Sequence, residues 1–269
     1  MKTIDELLLD QLEFGAAYPV LRTGFLNIDR KEVLLRRGAL TLMTARPGMG
    51  KTILSCQIAA NVAEEGHRAA ILSMEHSAGD MIQVLMRGDS AAATPGGIWI
   101  EDRVCRLELL EALMHDIPEG PDLIVLDRPS AYSYCRDESG GICREAGTIY
   151  GKLKEMAETF HAAVLCTEMA DRRVDQEEYP MPRICDIPDW EEIEPFVDTV
   201  CAFYSPSYYG GAVPGSGAAC GGSGAAVVYF RIGPSRDGCV NTLLWQRMGG
   251  IGERPHFFDT RDQALSKTR

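Results

Sequence analysis

Ala39-Leu40-Thr41-Leu42-Met43-Thr44 runs directly into Ala45-Arg46-Pro47-Gly48-Met49-Gly50-Lys51-Thr52, and a helix-like stretch follows over 53–65. An apolar strand feeding a glycine-bearing turn and a helix start aims several backbone N–H groups at one point. The helix dipole adds partial positive charge there, so the point favours phosphate. Gly48 and Gly50 permit close backbone approach and positive φ. Lys51 is long enough to reach β- and γ-phosphates, and the Thr52 hydroxyl suits Mg²⁺. Ala45 stands where the first glycine of G-x-x-x-x-G-K-[ST] belongs. With Ala or Gly accepted there, a chain of this length matches by chance about a few per cent of the time. The flanking strand and helix lower that figure, and the competing reading is an ordinary surface Gly-Lys-Thr turn.

Outward from this stretch, strand and helix signals alternate. Strands are expected over 68–74, 97–100, 123–126 and 162–167, with helices over 77–87 and 107–117. Ile149, Leu153, Met156, Ala157 and Phe160 fall on one face of a further helix. Such alternation predicts a doubly wound α/β fold, a mostly parallel sheet with helices on both faces. Strand signals over 199–204, 225–232 and 240–245 lack long helices between them, so an antiparallel C-terminal extension of the sheet is expected. The Gly, Ala and Ser-dominated stretch 210–224 reads as a mobile loop between two of these strands. At the N-terminus, Thr3 and Glu6 form a capping box for a short helix, and 15–19 reads as a linker. The expected division is therefore 1–20, helix and linker, and 21–269, one large domain.

With 269 residues, 45% of them apolar, the chain can bury a sizeable core. Nine scattered cysteines without a Cys-x-x-Cys argue against a disulfide framework or a zinc ribbon, and for a reducing cytoplasm. Cys135 and Cys143, the closest pair, lack obvious metal partners. No apolar run approaches ~20 residues, so no membrane span is expected. The start, Met1 to Glu6, is too acidic for a signal peptide. The net charge of −12 advertises no basic stripe for nucleic acid, and its ordinary meaning is solubility.

Nucleotide hydrolysis needs a metal-associated carboxylate, an oriented water and a cation for developing charge. Asp127 ends an apolar strand, a position at the carboxyl edge of a parallel sheet where a metal-binding carboxylate belongs, although an aspartate there can also simply cap a turn. Glu75 follows the strand after the phosphate-loop helix and can orient water if that strand neighbours the phosphate-loop strand.

Thr23-Gly24-Phe25 with Ile28-Asp29, the Ala-Arg-Pro-Gly-Met-Gly-Lys-Thr loop, Leu72 to Ser77 and Leu123 to Asp127 occur in this order. Together they resemble the C-terminal, RecA-like ATPase domain of DnaB-type replicative helicases, in which the loop also begins with Ala. The similarity continues through Ile193-Glu194, Asp198, Tyr208-Tyr209 and Arg231-Ile232-Gly233-Pro234. It implies a Mg²⁺-dependent ATPase acting in DNA unwinding. ATP and Mg²⁺ would be the cofactors, single-stranded DNA a partner, and a homo-oligomer, as a ring, the working form. Arg46, Pro47, Gly48, Met49, Gly50, Lys51 and Thr52 match the nucleotide loop, Thr52 and Asp127 the metal site, and Glu75 the catalytic glutamate. Arg231 matches the arginine finger, which serves nucleotide on the adjacent subunit, and Arg87 lies one turn beyond the expected base-stacking arginine.

Several departures from the family pattern fall together. Thr167-Glu168 replaces a Ser-Gln sensor pair, Tyr229 replaces a basic residue, and Arg128 stands where an aromatic is usual. Pro188-Asp189-Trp190-Glu191 replaces a DNA-facing Arg-Glu-Ser-Gly loop. Arg172, Arg173 and Arg183 are candidates for rebuilt DNA contacts, or else a solvated face. These changes motivate an alternative, a nucleotide-binding interaction module that switches partner binding without moving on DNA. A RecA-like kinase or circadian-type ATPase fits the Thr23 and Arg231 segments less well.

Overall fold

The computed structural model describes residues 20–30, 34–86, 97–103, 107–134, 145–177, 180–205, 209, 225–234, 240–247 and 256–258. The expected N-terminal helix and linker, Arg87, the Cys135–Cys143 pair and the loop 210–224 lie outside these residues.

Runs of Val, Ile, Leu and Ala make the strands β1 (Leu40–Ala45), β2 (Ala69–Ser73), β3 (Ile98–Glu101), β4 (Leu123–Asp127), β5 (Ala163–Met169) and β6 (Thr199–Tyr204). These six run parallel, and β7 (Ala225–Pro234), β8 (Val240–Arg247) and β9 (His256–Phe258) extend the same sheet antiparallel. The strand order is β3-β2-β4-β5-β1-β6-β7-β8-β9. Continuous apolar strands are what a sheet covered on both faces requires. Alternate side chains serve the two faces: Met43, Ile71, Val125 and Leu165 enter one core, and Leu42, Leu72, Leu126 and Val164 the other. Helices α1 (Lys51–Glu64) and α2 (Ala78–Leu85) cover the first face through Leu54, Ile58, Val62, Met81 and Val84. Helices α3 (Leu107–His115) and α4 (Ala146–Thr159) cover the second through Leu110, Met114, Ile149, Leu153 and Met156. The expected doubly wound architecture and antiparallel extension are both present. No described helix is long and apolar enough to cross a membrane.

One strand placement differs from the condition attached to Glu75. β2 neighbours β3 and β4, not β1, because β4 and β5 stand between β2 and the phosphate-loop strand. Short elements such as the helical turn Leu26–Asp29 and β9 carry no sequence signal. Four and three residues are too few to show a period.

The Thr23-Gly24-Phe25 motif acts as a clasp on that turn. Asp29 Oδ1 accepts from the Thr23 amide and hydroxyl at 2.7 and 2.6 Å, and Asn61 of α1 donates to the Thr23 carbonyl at 2.8 Å. Gly24 has φ +80, and a Cβ there would collide with the Asn61 side chain. Similarly, Asp198 accepts from the Leu40 amide at 2.7 Å and from Lys154 at 2.8 Å, tying the start of β1 to α4. Gly24→Ala is expected to cost about 1–3 kcal/mol of stability, through positive φ and the clash with Asn61. Urea unfolding checks this: the midpoint falls while the slope stays unchanged.

Candidate nucleotide site at the carboxyl edge of the sheet

The phosphate loop leaves β1 and turns into α1 through two glycines in the left-handed region, Gly48 at φ +79 and Gly50 at φ +95. Gly50 is the residue preceding α1, so the helix starts at Lys51 with its free amides facing a cleft of about 340 Å³. Pro47, Gly48, Gly50, Lys51, Thr52 and Ile53 line one side. Glu75, His76, Asp127, Arg128, Thr167, Glu168 and Met169 line the other. Lys51 Nζ donates back to the carbonyls of Ala45 and Arg46 at 3.0 and 3.3 Å. Burial of this ammonium, only partly offset by Asp127, lowers its pKa to about 8.

Asp127 is the centre of the opposite wall. It is buried, and its carboxylate receives Thr167 Oγ1 at 2.6 Å, His76 Nδ1 at 3.0 Å and Ser73 Oγ at 3.4 Å. Thr52 Oγ1 lies 3.1 and 3.2 Å from its two oxygens. Burial works against ionisation, but the bonds from His76, Thr167 and Thr52 outweigh it and hold the carboxyl below its ordinary range. Sheet register does the positioning, since Ser73, Asp127 and Thr167 face one another across β2, β4 and β5. The donor set suits a hard divalent cation, with a hydroxyl and a carboxylate in contact at the helix start. Glu75, His76 and Asp127 also offer ligand atoms within 4.8 Å of one another.

Ser73 brings Glu75 into the cleft although β2 is remote from β1. Its hydroxyl accepts from the amides of Glu75 and His76 at 3.2 and 2.9 Å, bending the chain back over the edge of the sheet. Glu75 Oε2 then stands 3.6 Å from Arg128 Nη1.

The other sequence-derived residues divide. The Arg46 guanidinium turns away from the cleft, donating to the Ala170 carbonyl at 2.7 Å and pairing with Asp175 at 2.9 Å. Met49 is buried in the core beside α1. Only the backbones of these two residues are thus available to a phosphate. Arg231 lies on β7 in the row Glu168–Thr44–Ala202–Arg231, two strands beyond β1 on the side away from Asp127. Arg173 is paired with Asp171, and Arg183 with Glu177 and Asp186. Arg172 is exposed.

Glu168 lines the cleft with its carboxylate already engaged by neighbouring donors. Its carboxylate accepts from the Ser130 amide at 2.6 Å, the Ser130 hydroxyl at 3.0 Å and the Tyr150 hydroxyl at 3.4 Å. Burial raises its pKa against the pull of the Ser130 bonds. His76 and Ser73 are site residues that sequence reasoning misses. A histidine directly after a strand-end glutamate is the available signal, whereas the Ser73 bonds depend on the backbone turn and have none.

Residues 20–94 match the family model described as DnaB-like helicase C terminal domain. The chain is 26% identical over 213 residues to a "Probable plasmid replicative DNA helicase" of Chlamydia muridarum, covering 68% of this chain and 46% of that protein. It is 26% identical over 215 residues to "Replicative DNA helicase DnaB" of Geobacillus stearothermophilus, covering 70% and 47%. The chain therefore spans about half the length of the curated relatives it matches. A solved structure described as a "DnaB-Like Replicative Helicase" superposes with a TM-score of 0.70 at 18% identity, covering 91% of this chain and 64% of that one. A second solved structure, an ATPase domain, gives a TM-score of 0.71 at 18% identity, covering 97% of this chain and 100% of that one. Motifs, relatives and fold agree, and the chain is similar to the C-terminal, RecA-like ATPase domain of DnaB-type replicative helicases.

Proposed function

We propose that the chain binds Mg²⁺-ATP at the Lys51–Asp127 cleft and hydrolyses it to ADP and phosphate, in an assembly that works on DNA during replication. The observation that carries this reading is the contact of Thr52 with Asp127 at the start of α1, next to Lys51. Free helix amides, an ammonium and a hydroxyl–carboxylate pair then face one small space, the set that a metal-bound polyphosphate needs. Mg²⁺, when bound, neutralises phosphate charge and polarises the γ-phosphoryl group.

The chain's own residues supply the rest. The amides of the 46–52 loop and the Lys51 ammonium hold the β- and γ-phosphates. Thr52 and Asp127 would hold the metal. Glu75, brought over the sheet edge by Ser73, aligns the attacking water. Arg231, two strands from β1, serves the cleft of the adjacent copy, so turnover depends on oligomerisation. Arg172, Arg173 and Arg183 are exposed, and the surface ion pairs of Arg173 and Arg183 are weak enough for a DNA backbone to displace.

Lys51→Ala is expected to weaken ATP binding at least about tenfold, because a charge-assisted contact to phosphate disappears. Glu75→Gln is expected to lower kcat by about 10²–10³ without weakening ATP binding. Calorimetry and a phosphate-release assay check the pair, and a Glu75→Gln protein that hydrolyses at the original rate removes Glu75 from the chemistry. ATP affinity also has a definite pH dependence. Lys51 in the free protein loses its proton near pH 8, and bound phosphate favours the charged form, so affinity falls as pH rises through about 8. Lys51→Ala flattens that fall. Single-stranded DNA is expected to stimulate phosphate release, and its failure to do so, with no measurable DNA affinity, removes unwinding from the proposal.

A further inference from the structure

Arg128 is a residue the backbone resists. It stands at φ +63, in the left-handed region where Gly, Asn or Asp cost less. The conformation is held because the Arg128 amide donates to both the carbonyl and the hydroxyl of Thr167, at 3.1 and 3.2 Å. A large side chain kept in a sparsely populated conformation beside a ligand cleft is a reason to look for its task.

The surroundings narrow that task. Arg128 lines the cleft, where Lys51 is the other ammonium or guanidinium cation among the described residues. Its Nε is buried without a hydrogen-bond partner among the described residues. Its Nη1 faces Glu75 Oε2 at 3.6 Å, with the two side chains 37% and 39% exposed. A pair that long and that exposed is weak and easily displaced. The nearby polar groups have hydrogen bonds of their own, Glu168 with Ser130 and Tyr150 and the Thr167 hydroxyl with Asp127, so what Glu168 offers Arg128 is charge attraction across the wall. The guanidinium therefore carries one buried donor without a partner among the described residues and a loosely held Nη1 that faces Glu75.

We propose that Arg128 is a γ-phosphate-binding residue acting within its own subunit, and that it restrains Glu75 until a nucleoside triphosphate arrives. The inference deepens the ATPase reading and rests on it. A terminal phosphoryl group offers the guanidinium two oxygens in fork geometry, a better partner than the distant Glu75 carboxylate. Arg128 moves to the phosphate and Glu75 is released to orient water. A diphosphate lacks the terminal group, so in that state the Arg128–Glu75 pair stays closed. The same residue thus reports which nucleotide is bound and withholds Glu75 when the wrong one is present.

Equilibrium binding separates this role from a structural one. Mg²⁺ with AMPPNP and Mg²⁺ with ADP are titrated into the full chain and into Arg128→Asn and Arg128→Lys, asparagine being chosen because it tolerates positive φ. Arg128→Asn is expected to lose about tenfold or more in AMPPNP affinity while ADP affinity stays within about twofold. Arg128→Lys recovers part of the AMPPNP loss. Glu75→Ala, which frees Arg128, is expected to tighten AMPPNP binding, and that gain disappears when Arg128→Asn is added. Unchanged ADP affinity shows that the variant is folded. Equal losses for both nucleotides, or no loss for either, overturn the role of Arg128 alone. Wild-type protein that binds neither nucleotide overturns the ATPase reading, and this inference with it.

Discussion

A single buried carboxylate organises this molecule. Asp127 takes hydrogen bonds from β2 through Ser73, from β5 through Thr167, from α1 through Thr52 and from the turn after β2 through His76. Each donor belongs to a different element, so the charge fixes their relative positions at the edge where the cleft opens. An isolated buried carboxylate would be costly, and this one is tolerated because its donors replace the lost water. The arrangement needs the parallel register: shifting β4 by one residue against β5 would turn Asp127 toward the opposite face and break every bond at once.

Much of this was legible from residue order. The strands are continuous apolar runs because both faces of the sheet are covered, and α1, α2 and α4 carry apolar residues at helical spacing. Thr52 and Asp127 were readable as partners since one begins the helix after the phosphate loop and the other ends an apolar strand. The order of strands was not readable. β5 comes after β4 in sequence but lies between β4 and β1 in space, which places Thr167 against Asp127 and leaves β2 far from β1. Glu75 reaches the cleft through a backbone turn held by Ser73, and local composition carries no trace of that. Arg46 was legible as part of the loop, but its guanidinium partner, Asp175, is 129 residues away.

The departures from the helicase pattern acquire physical explanations when taken together. Glu168 would repel phosphate if it stood free, yet Ser130 and Tyr150 enclose its carboxylate. Arg128 brings a cation to the same wall. Arg46 and Tyr209 meet at Asp175, with Tyr209 donating at 2.6 Å, so the phosphate loop is braced against the segment that follows β5. The 188–191 stretch keeps its acidic character in the helical turn Trp190–Ile193, whose preceding residue Asp189 has φ +54. A carboxylate-rich turn gives a phosphodiester little to hold.

The two bonds from Lys51 to the carbonyls of Ala45 and Arg46 have one more consequence. The ammonium clips its own turn of chain into shape, so folding itself meets the entropy of arranging this loop. A polyanion bound as proposed would trade one set of oxygens for another and freeze few additional rotors. Recognition of such a ligand would be an exchange of partners rather than a disorder-to-order event, which lowers the ordering cost of binding.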